Sequence, residues 1–519
     1  MPAAGSEETR LVLTSQAQRE ADREAEAAGI PSETLMESAG RSAAELILER
    51  ADFQRPLAIA GRGGNGGDAL VVARVLFESG TDVTALGLCR PEDLSPTTAL
   101  MARRLEEAAP GRLQFLAKDL GPLEELLLEC DGVIDGLFGS GLDRPLAGRE
   151  IEAVRLINAA DCETVSLDLP SGLASDQGAL LGEAVEADLT IAMEFLKPAH
   201  LFFPARSFCG EIEVARVAYP AEVLARLVPL ARVLTQDGAA AILPARRPDG
   251  HKGTFGHVLV VAGSLGMSGA AILCARAALR SGAGLVTVAC PSSIQPIVAT
   301  ALPEALTLGL PEDAGHVAPD AMAALEPALD AATVLAIGPG LGRSPAAHVL
   351  VGVILKRSKV PLVLDADALF ALASHRDWLK HCAGRSVLTP HPGEMARLVD
   401  RSADEVDQDR IETARAFARE HGVVLLLKGR PTAIGLRDGT IFLNPTGNTG
   451  LAKAGSGDVL TGLIAGMLAN GGSPEDAAVL GAYVHGAAAD LLTGEISERA
   501  ILATDLIEAL PLALAQIER

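Results

Sequence analysis

The sequence predicts two unlike α/β domains, each built on a twisted sheet of mainly parallel strands, and three observations carry that expectation. Short apolar runs alternate with helical stretches along most of the chain, which is the pattern of strand–helix–strand units. The 519 residues are too many for one core and comfortable for two or three domains. The motifs found before Val217 do not recur after Gln236, so the halves read as a fusion and not as a repeat.

Composition narrows the function classes. Hydrophobic residues make up 49% of the chain but aromatic ones only 3%, so the cores must rest on Ala, Leu and Val, with no aromatic platform for stacking bases. A formal net charge of −23, without any run of Lys and Arg, disfavours nucleic acid as a partner. Seven scattered cysteines without a CxxC pair argue against a disulfide framework or structural zinc. The polar start MPAAGSEETR lacks the charged-then-apolar pattern of an export signal, and no apolar run approaches membrane-spanning length. A soluble protein of the reducing cytoplasm, free of membrane, is expected.

Along the first half, Ser15 to Arg50 has helical spacing broken at Gly29-Ile30-Pro31, giving two helices. Pro56 to Gly80 reads strand, glycine loop, helix, and further strands are expected at Val83 to Leu88, Val133 to Asp135, Thr164 to Leu169 and Leu189 to Ala192. Gly61, Gly63 and Gly66 satisfy G-x-G-x-x-G, the dinucleotide fingerprint. The acidic residue that should end the second strand is missing, however, since Asp82 precedes that strand, which closes on Leu86-Gly87-Leu88. Asn65 and Asp68 bring polar side chains into a loop where plain dinucleotide docking needs only backbone. Two more acid-bearing clusters, DGLFGSGLDRP with Asp135 and SLDLPSGL with Asp168 and Ser171, fall at strand ends. In open α/β sheets that is where a ligand crevice lies, so the three clusters are expected to share one site.

Prolines at 220, 229, 244 and 248 mark a junction, and the boundary is expected between Val217 and Leu234. The second half opens with HKGTFGHVLVVAGS, a turn into a buried strand. Further strands fit GLVTVAC, TVLAIGPG, PLVLDADAL, RSVLTPHPGE and VVLLLKG, followed by a hairpin about Asp438-Gly439. No GxxxxGK[ST] occurs, so phosphate must be held otherwise. The stretch NPTGNTGLAKAGSGDVLTG offers a means: glycines directly before an apolar helical run, Val459 to Ala469, leave open N–H groups and the positive end of the helix dipole toward an anion. Asp458 in that first turn is either a helix-favouring acid or a base held beside a phosphate. Lys428 is either a solvated strand-end lysine or an ammonium awaiting an anion. His391 is either a turn histidine or, with Glu394, a substrate contact.

On these motifs the chain resembles two known families. MESAG, GGNGGDALVVAR, DGLFGSGL and DLPSGL, in this order, resemble the NAD(P)H-hydrate epimerases over residues 11–217. Three departures are visible: Gly64 for an Asn and Ala69 for a Gly in the family's NNGGDG, and Ser38 for the Asn of MENAG. KGTFG, MSGAAILCARAALRSGAGL, GPGLG, LTPHPGE, LKG…T and NPTGN…AKAGSGDVLTG resemble the ADP-dependent NAD(P)H-hydrate dehydratases, a ribokinase-like family, over residues 236–517.

The first resemblance implies a Rossmann-like domain that interconverts the R and S forms of NADH or NADPH hydrated at C6 of the reduced ring. It implies substrate contacts at Gly64, Asn65, Gly66, Gly67, Asp68, Gly139, Ser140, Gly141, Leu142, Asp143, Arg144, Pro145 and Asp168, the last also catalytic, and a potassium ion held by Asn65, Asp135 and Ser171. The second implies dehydration of the S form at the expense of ADP with its magnesium. There Ala270, Gly342, His391 and the catalytic Asp458 would meet the hydrated dinucleotide, while Lys428, Gly429, Arg430, Pro431, Thr432 and Gly457 would hold the adenine nucleotide. Only small-molecule partners are implied, and a homo-oligomer is expected. The competing enzyme reading is a ribokinase-like vitamin or sugar kinase, which would use the same Gly457-Asp458 loop and release a stable phosphoester. A nucleotide-binding sensor is the non-enzymatic one, against which Asp168 and Asp458 count.

Overall fold

A computed structural model describes residues 8–518. It divides into two compact units, one spanning Arg10–Leu230 and the other running from Ala231 onward.

The first unit is a seven-stranded sheet with helices on both faces. Its strands are β1 (Pro56–Ala60), β2 (Thr84–Gly87), β3 (Leu113–Phe115), β4 (Gly132–Gly136), β5 (Glu163–Leu167), β6 (Leu189–Met193) and β7 (Glu211–Ala215). They lie in the order β7-β6-β5-β4-β1-β2-β3, and every pairing is parallel. The five interior strands expected from sequence are all present. The outer β3 and β7 were not foreseen, because partly exposed edge strands lack the continuous apolar run of a buried one.

Alternation along β1 divides the core. Ala58 and Ala60 face Ile47, Leu70 and Leu76 of helices Ser32–Arg50 and Gly64–Glu78, whereas Leu57 and Ile59 face Leu123 of helix Gly121–Glu129 and Val154 of Arg149–Ala159. The glycines of the first loop are explained by close approach. A Cβ on Gly66 would lie 1.9 Å from the Gly61 carbonyl, and one on Gly61 would lie 2.0 Å from that of Leu137. Strand order reverses between β1 and β4, so the loops after these strands border one crevice.

The second unit carries β8 (Ala231–Leu234), β9 (His257–Val261), β10 (Leu285–Pro291), β11 (Leu306–Leu310), β12 (Val334–Ile337), β13 (Leu362–Leu364), β14 (Ser386–Leu388), β15 (Val424–Leu427), β16 (Ala433–Gly435) and β17 (Ile441–Leu443). The sheet runs β8-β17-β16-β15-β14-β13-β12-β9-β10-β11. It is parallel except where the hairpin of β16 and β17 turns back beside β15. Short β8 and edge strand β11, the latter carrying Gly309, escaped the sequence reading.

Helix Ser456–Ala469 crosses the core and is buried from Val459 to its end, with Gly462 set where a Cβ would meet the Cys274 carbonyl at 1.9 Å. It begins three residues before the expected Val459, at a left-handed Gly455 (φ 94°), so Asp458 is its third residue. Among the described residues no helix is long and apolar enough to cross a membrane.

Candidate functional site

The first crevice opens into a cavity of about 790 Å³ at the carboxyl ends of β1, β4 and β5. Asp168, one residue past β5, sits in it with left-handed backbone (φ 59°) and a side chain held from two directions. The Ser140 N–H donates to its Oδ2 at 2.7 Å, and the Lys197 ammonium stands 3.5 Å from its Oδ1. Lys197 is fully buried and also donates to the Phe195 carbonyl at 3.0 Å. Below it, His200 Nδ1 accepts the Lys197 N–H at 2.9 Å, which leaves the proton on Nε2 to be donated to the Asp168 carbonyl at 2.7 Å.

Burial drives the His200 pKa down to about 4, helped by the neighbouring ammonium, so this ring is a neutral strut. Burial alone would raise Asp168, but Lys197 and the Ser140 donor outweigh it and hold the carboxyl below its usual range. Asp68 goes the opposite way: burial and then the charges of Asp168 and Asp22 hold it well above the carboxylate range. Asp22 is also raised, chiefly by burial, although the Tyr219 hydroxyl donates to it. One ionised carboxylate therefore faces one biased toward its protonated form, the arrangement that supplies base and acid at one site.

Beside this group lies a nook of oxygens. Asp135, opposite Ser166 in the β4–β5 register, is wholly buried and accepts Ser166 Oγ at 2.9 Å, the Ser171 N–H at 2.9 Å, Ser171 Oγ at 2.6 Å and the Leu137 N–H at 3.2 Å. Asn65 donates from Nδ2 to the Phe138 carbonyl at 3.0 Å, while its Oδ1 is buried without any partner. An orphaned buried acceptor costs about 1–3 kcal/mol, and a cation beside it would remove that cost. Neutral oxygens backed by one carboxylate suit a monovalent ion, and among the described residues no cluster of His, Cys, Asp and Glu offers a transition-metal site.

Of the substrate contacts expected in this half, Gly64, Asn65, Asp68, Gly139 to Arg144 and Asp168 line the cavity, whereas Gly66, Gly67 and Pro145 do not. Gly66 and Gly67 are buried in the first turn of the helix, where a Cβ on Gly67 would strike the Met36 sulfur at 2.4 Å. The departures at 64 and 69 are sterically quiet. A Cβ on Gly64 meets open space, and Ala69 is accommodated because Gly136 faces it.

In the second unit the side chains meet at the ends of β13, β14 and β15 and the start of helix Ser456–Ala469. Asp365, just past β13 and almost wholly buried, accepts the Lys428 ammonium at 2.9 Å on one oxygen and Thr461 Oγ1 at 2.9 Å on the other. A Cβ on Gly457 would lie 3.3 Å from Lys428 Nζ, so the bare glycine keeps the space over the ammonium open. Asp458 is the acidic residue of this helix's first turn, whose N-cap, Gly455, has no side chain to offer. Burial, with Asp365 adding to it, pushes its pKa up to about 6 despite the opposing Lys428. Lys428 is shifted up, since Asp365, Glu394 and Asp458 together outweigh its burial.

His391 is the turn histidine that the sequence allowed. Its Nδ1 caps helix Pro392–Val399 through the Gly393 N–H at 3.0 Å, and its exposed ring keeps Nε2 3.6 Å from Glu394. Gly342, left-handed at φ 85°, donates its N–H to Asp367 at 2.9 Å, and Ala270 packs where Gly340 would carry a Cβ, at 3.0 Å. Thr432 folds back to the Gly429 carbonyl at 3.1 Å, and the Pro431 carbonyl accepts Arg410.

Three side chains that the two sites hold escaped sequence reasoning: Lys197, His200 and Asp365. Lys197 and His200 stand in EFLKPAH, where a lysine between apolar residues and a proline was the available signal. Asp365 closes a strand in PLVLDADAL, as Asp168 does in SLDLPSGL.

The first unit matches the family model described as "YjeF-related protein N-terminus" over residues 32–199, and the second matches "NAD(P)H-hydrate dehydratase" over residues 258–512. A protein of Moorella thermoacetica called bifunctional NAD(P)H-hydrate repair enzyme is 44% identical over 496 residues, 94% of this chain and 93% of that one. The Escherichia coli protein of the same name is 34% identical over 95% of this chain and 92% of its own length. A Bacillus subtilis ADP/ATP-dependent NAD(P)H-hydrate dehydratase, crystallised with ATP and magnesium, superimposes with a TM-score of 0.47 at 36% identity, covering 55% of this chain and 98% of that one.

Proposed function

Because the chain belongs to the family of bifunctional NAD(P)H-hydrate repair enzymes, we propose that it returns hydrated NADH and NADPH to use in two steps. Its first domain (11–217) epimerises the R and S hydrates, and its second (236–517) dehydrates the S hydrate with ADP. The observation that carries this reading is the pairing, in one chain, of two sites that each hold a perturbed carboxylate beside a lysine: Asp168 with the fully buried Lys197, and Asp458 with the partly buried Lys428 and Asp365.

In the second domain Asp458 accepts the proton of the C6 hydroxyl as that oxygen attacks the β-phosphorus of ADP, and AMP leaves. Hydroxide is a poor leaving group and phosphate a good one. The ring nitrogen's electron pair then expels phosphate, and loss of a proton from the neighbouring carbon restores the reduced ring. Lys428 and the open N–H groups around Gly457 offset the phosphate charge, while Ala270, Gly342 and His391 border the dinucleotide. Magnesium enters as part of the nucleotide substrate. In the first domain Asp168 and Asp68 move the proton at the same hydroxyl so that it can leave one face and return on the other.

Asn65 Oδ1 and the Phe138 carbonyl, backed by Asp135 and Ser171, are the oxygens that would hold potassium, whose charge would offset substrate phosphates. Exchange of potassium for tetramethylammonium should slow epimerisation, and Asn65→Ala should abolish the difference between the two salts. Full potassium activation in that variant would remove the ion from the site.

The raised pKa of Asp458 sets a pH dependence. As a base it acts ionised, so dehydratase kcat/KM should be level above its pKa of about 6 and fall tenfold per pH unit below it. An acidic limb that survives unchanged in Asp458→Asn would belong to another group.

The test of the whole is to incubate the protein with acid-generated hydrate and ADP and follow absorbance in the NADH band. Recovery of NADH, with AMP and phosphate formed, supports repair. A stable phosphoester without NADH would instead make the second domain a kinase of the ribokinase type.

A further inference from the structure

Beside the first cavity lies a second, of about 520 Å³, which shares Arg62, Leu137, Phe138 and Arg144 as a common wall. That size falls in the range of about 300–1,000 Å³ that encloses small ligands. It sits past the end of β2, where Leu88 and Cys89 line it, on the far side of the strand-order reversal from Asp168.

Its charge is unlike that of the first cavity, where Asp22, Asp68 and Asp168 gather. Four arginines and two carboxylates line it. Asp93 holds Arg90 in a fork of two 2.9 Å bonds, and Glu150 holds Arg144 in a similar one. Arg62 and Arg149 have no carboxylate within ion-pair reach among the described residues. Arg149 spends its two terminal nitrogens on the carbonyls of Ala117 (2.8 Å) and Leu116 (3.1 Å), and its buried Nε has no partner. An uncompensated positive lining next to the reacting carboxylates asks for an anionic extension of the same ligand.

We propose that this cavity takes the adenosine half of the hydrated dinucleotide, with Arg62 on the diphosphate and Arg90 on the 2′-phosphate of hydrated NADPH; this rests on the epimerase reading above. In a doubly wound sheet the two mononucleotide halves straddle the reversal of strand order. The end of the second strand carries an acid where a free 2′-hydroxyl is held and an arginine where a 2′-phosphate is. Here that position offers Leu88-Cys89-Arg90, and the first acids after it, Glu92 and Asp93, both pair with Arg90, so neither stands where the ribose acid would and its absence from the strand end becomes a specificity signal. Asp93 fixes the orientation of the Arg90 guanidinium, and Arg62 and Arg149 supply the surplus charge that a dianionic phosphate needs.

The test is epimerisation of the R hydrates of NADPH and NADH, followed by chromatography without ADP so that the dehydratase is silent. Arg90→Ala should raise KM for hydrated NADPH by about ten- to a hundredfold and leave KM for hydrated NADH within about threefold, with kcat unchanged for both. Arg62→Ala should raise both KM values alike. Equal shifts for the two hydrates in Arg90→Ala, or none, would overturn the assignment. Should the unaltered protein epimerise neither hydrate, the epimerase reading falls on its own. Calorimetry with adenosine 2′,5′-bisphosphate, in excess ATP to fill the other nucleotide site, then still decides the cavity. Binding weakened at least about tenfold by Arg90→Ala supports it, and unchanged or absent binding refutes it.

Discussion

Asp458→Asn is expected to lower ADP-dependent dehydration by about two to four orders of magnitude, the usual worth of a general base, while ADP binding survives. The substitution keeps the shape of the side chain and removes only its capacity to take a proton. It should not disturb the helix, because the left-handed Gly455 already begins the turn and an asparagine three residues further on fits the same backbone. Lys428 would keep its 2.9 Å partner Asp365, so the phosphate cradle stays charged and closed. Turnover measured at saturating ADP, with affinity from calorimetry, separates the two quantities. Near-normal turnover would remove Asp458 from the chemistry and shift the proton to Asp365, the other carboxylate beside Lys428.

For the first domain, Asp168→Asn should abolish measurable epimerisation while leaving dehydration untouched. Given a mixture of hydrates with ADP, the variant should consume only the S fraction and stop, where the unaltered protein goes to completion. The amide can still receive the Ser140 N–H, so the loop after β4 keeps its tether. Lys197, however, loses its counter-charge in a fully buried position, and such a group is strongly destabilised as an ammonium. Part of the effect therefore arises through Lys197. Lys197→Met in the same background separates the shares: if the double variant regains stability without regaining epimerisation, the carboxylate itself carries the chemistry. Consumption of both epimers at the full rate by Asp168→Asn would mean that a single site suffices.

What could be read from sequence follows a physical division. Glycines at positions of close approach, such as Gly61 and Gly66, and acids that end apolar runs, such as Asp135 and Asp168, were legible because backbone geometry and burial force those residue types locally. The interior strands were legible for the same reason. Edge strands β3 and β7 are half exposed and share the composition of loops, and β8 is only four residues long. Lys197 and His200 were opaque for a different reason. Their meaning lies in Asp168, about thirty positions earlier in the chain, and a lone lysine among apolar residues reads equally well as one that reaches to solvent. Asp365 is an intermediate case: its place at a strand end was visible, but its bonds to Lys428 and Thr461 depend on elements far along the chain.

The left-handed backbone of Asp168 bears on which sequence variants of this protein can persist. At φ 59° a β-branched or bulky residue is strained, whereas asparagine and glycine are at ease. Both are one nucleotide change away from an aspartate codon. The commonest accidents at this position should therefore bring no backbone strain of their own and yet remove the carboxylate, with any loss of stability coming from Lys197. Cells bearing such alleles would accumulate the R hydrate, and their stock of the protein would be set by how well the first domain tolerates the stranded Lys197 ammonium.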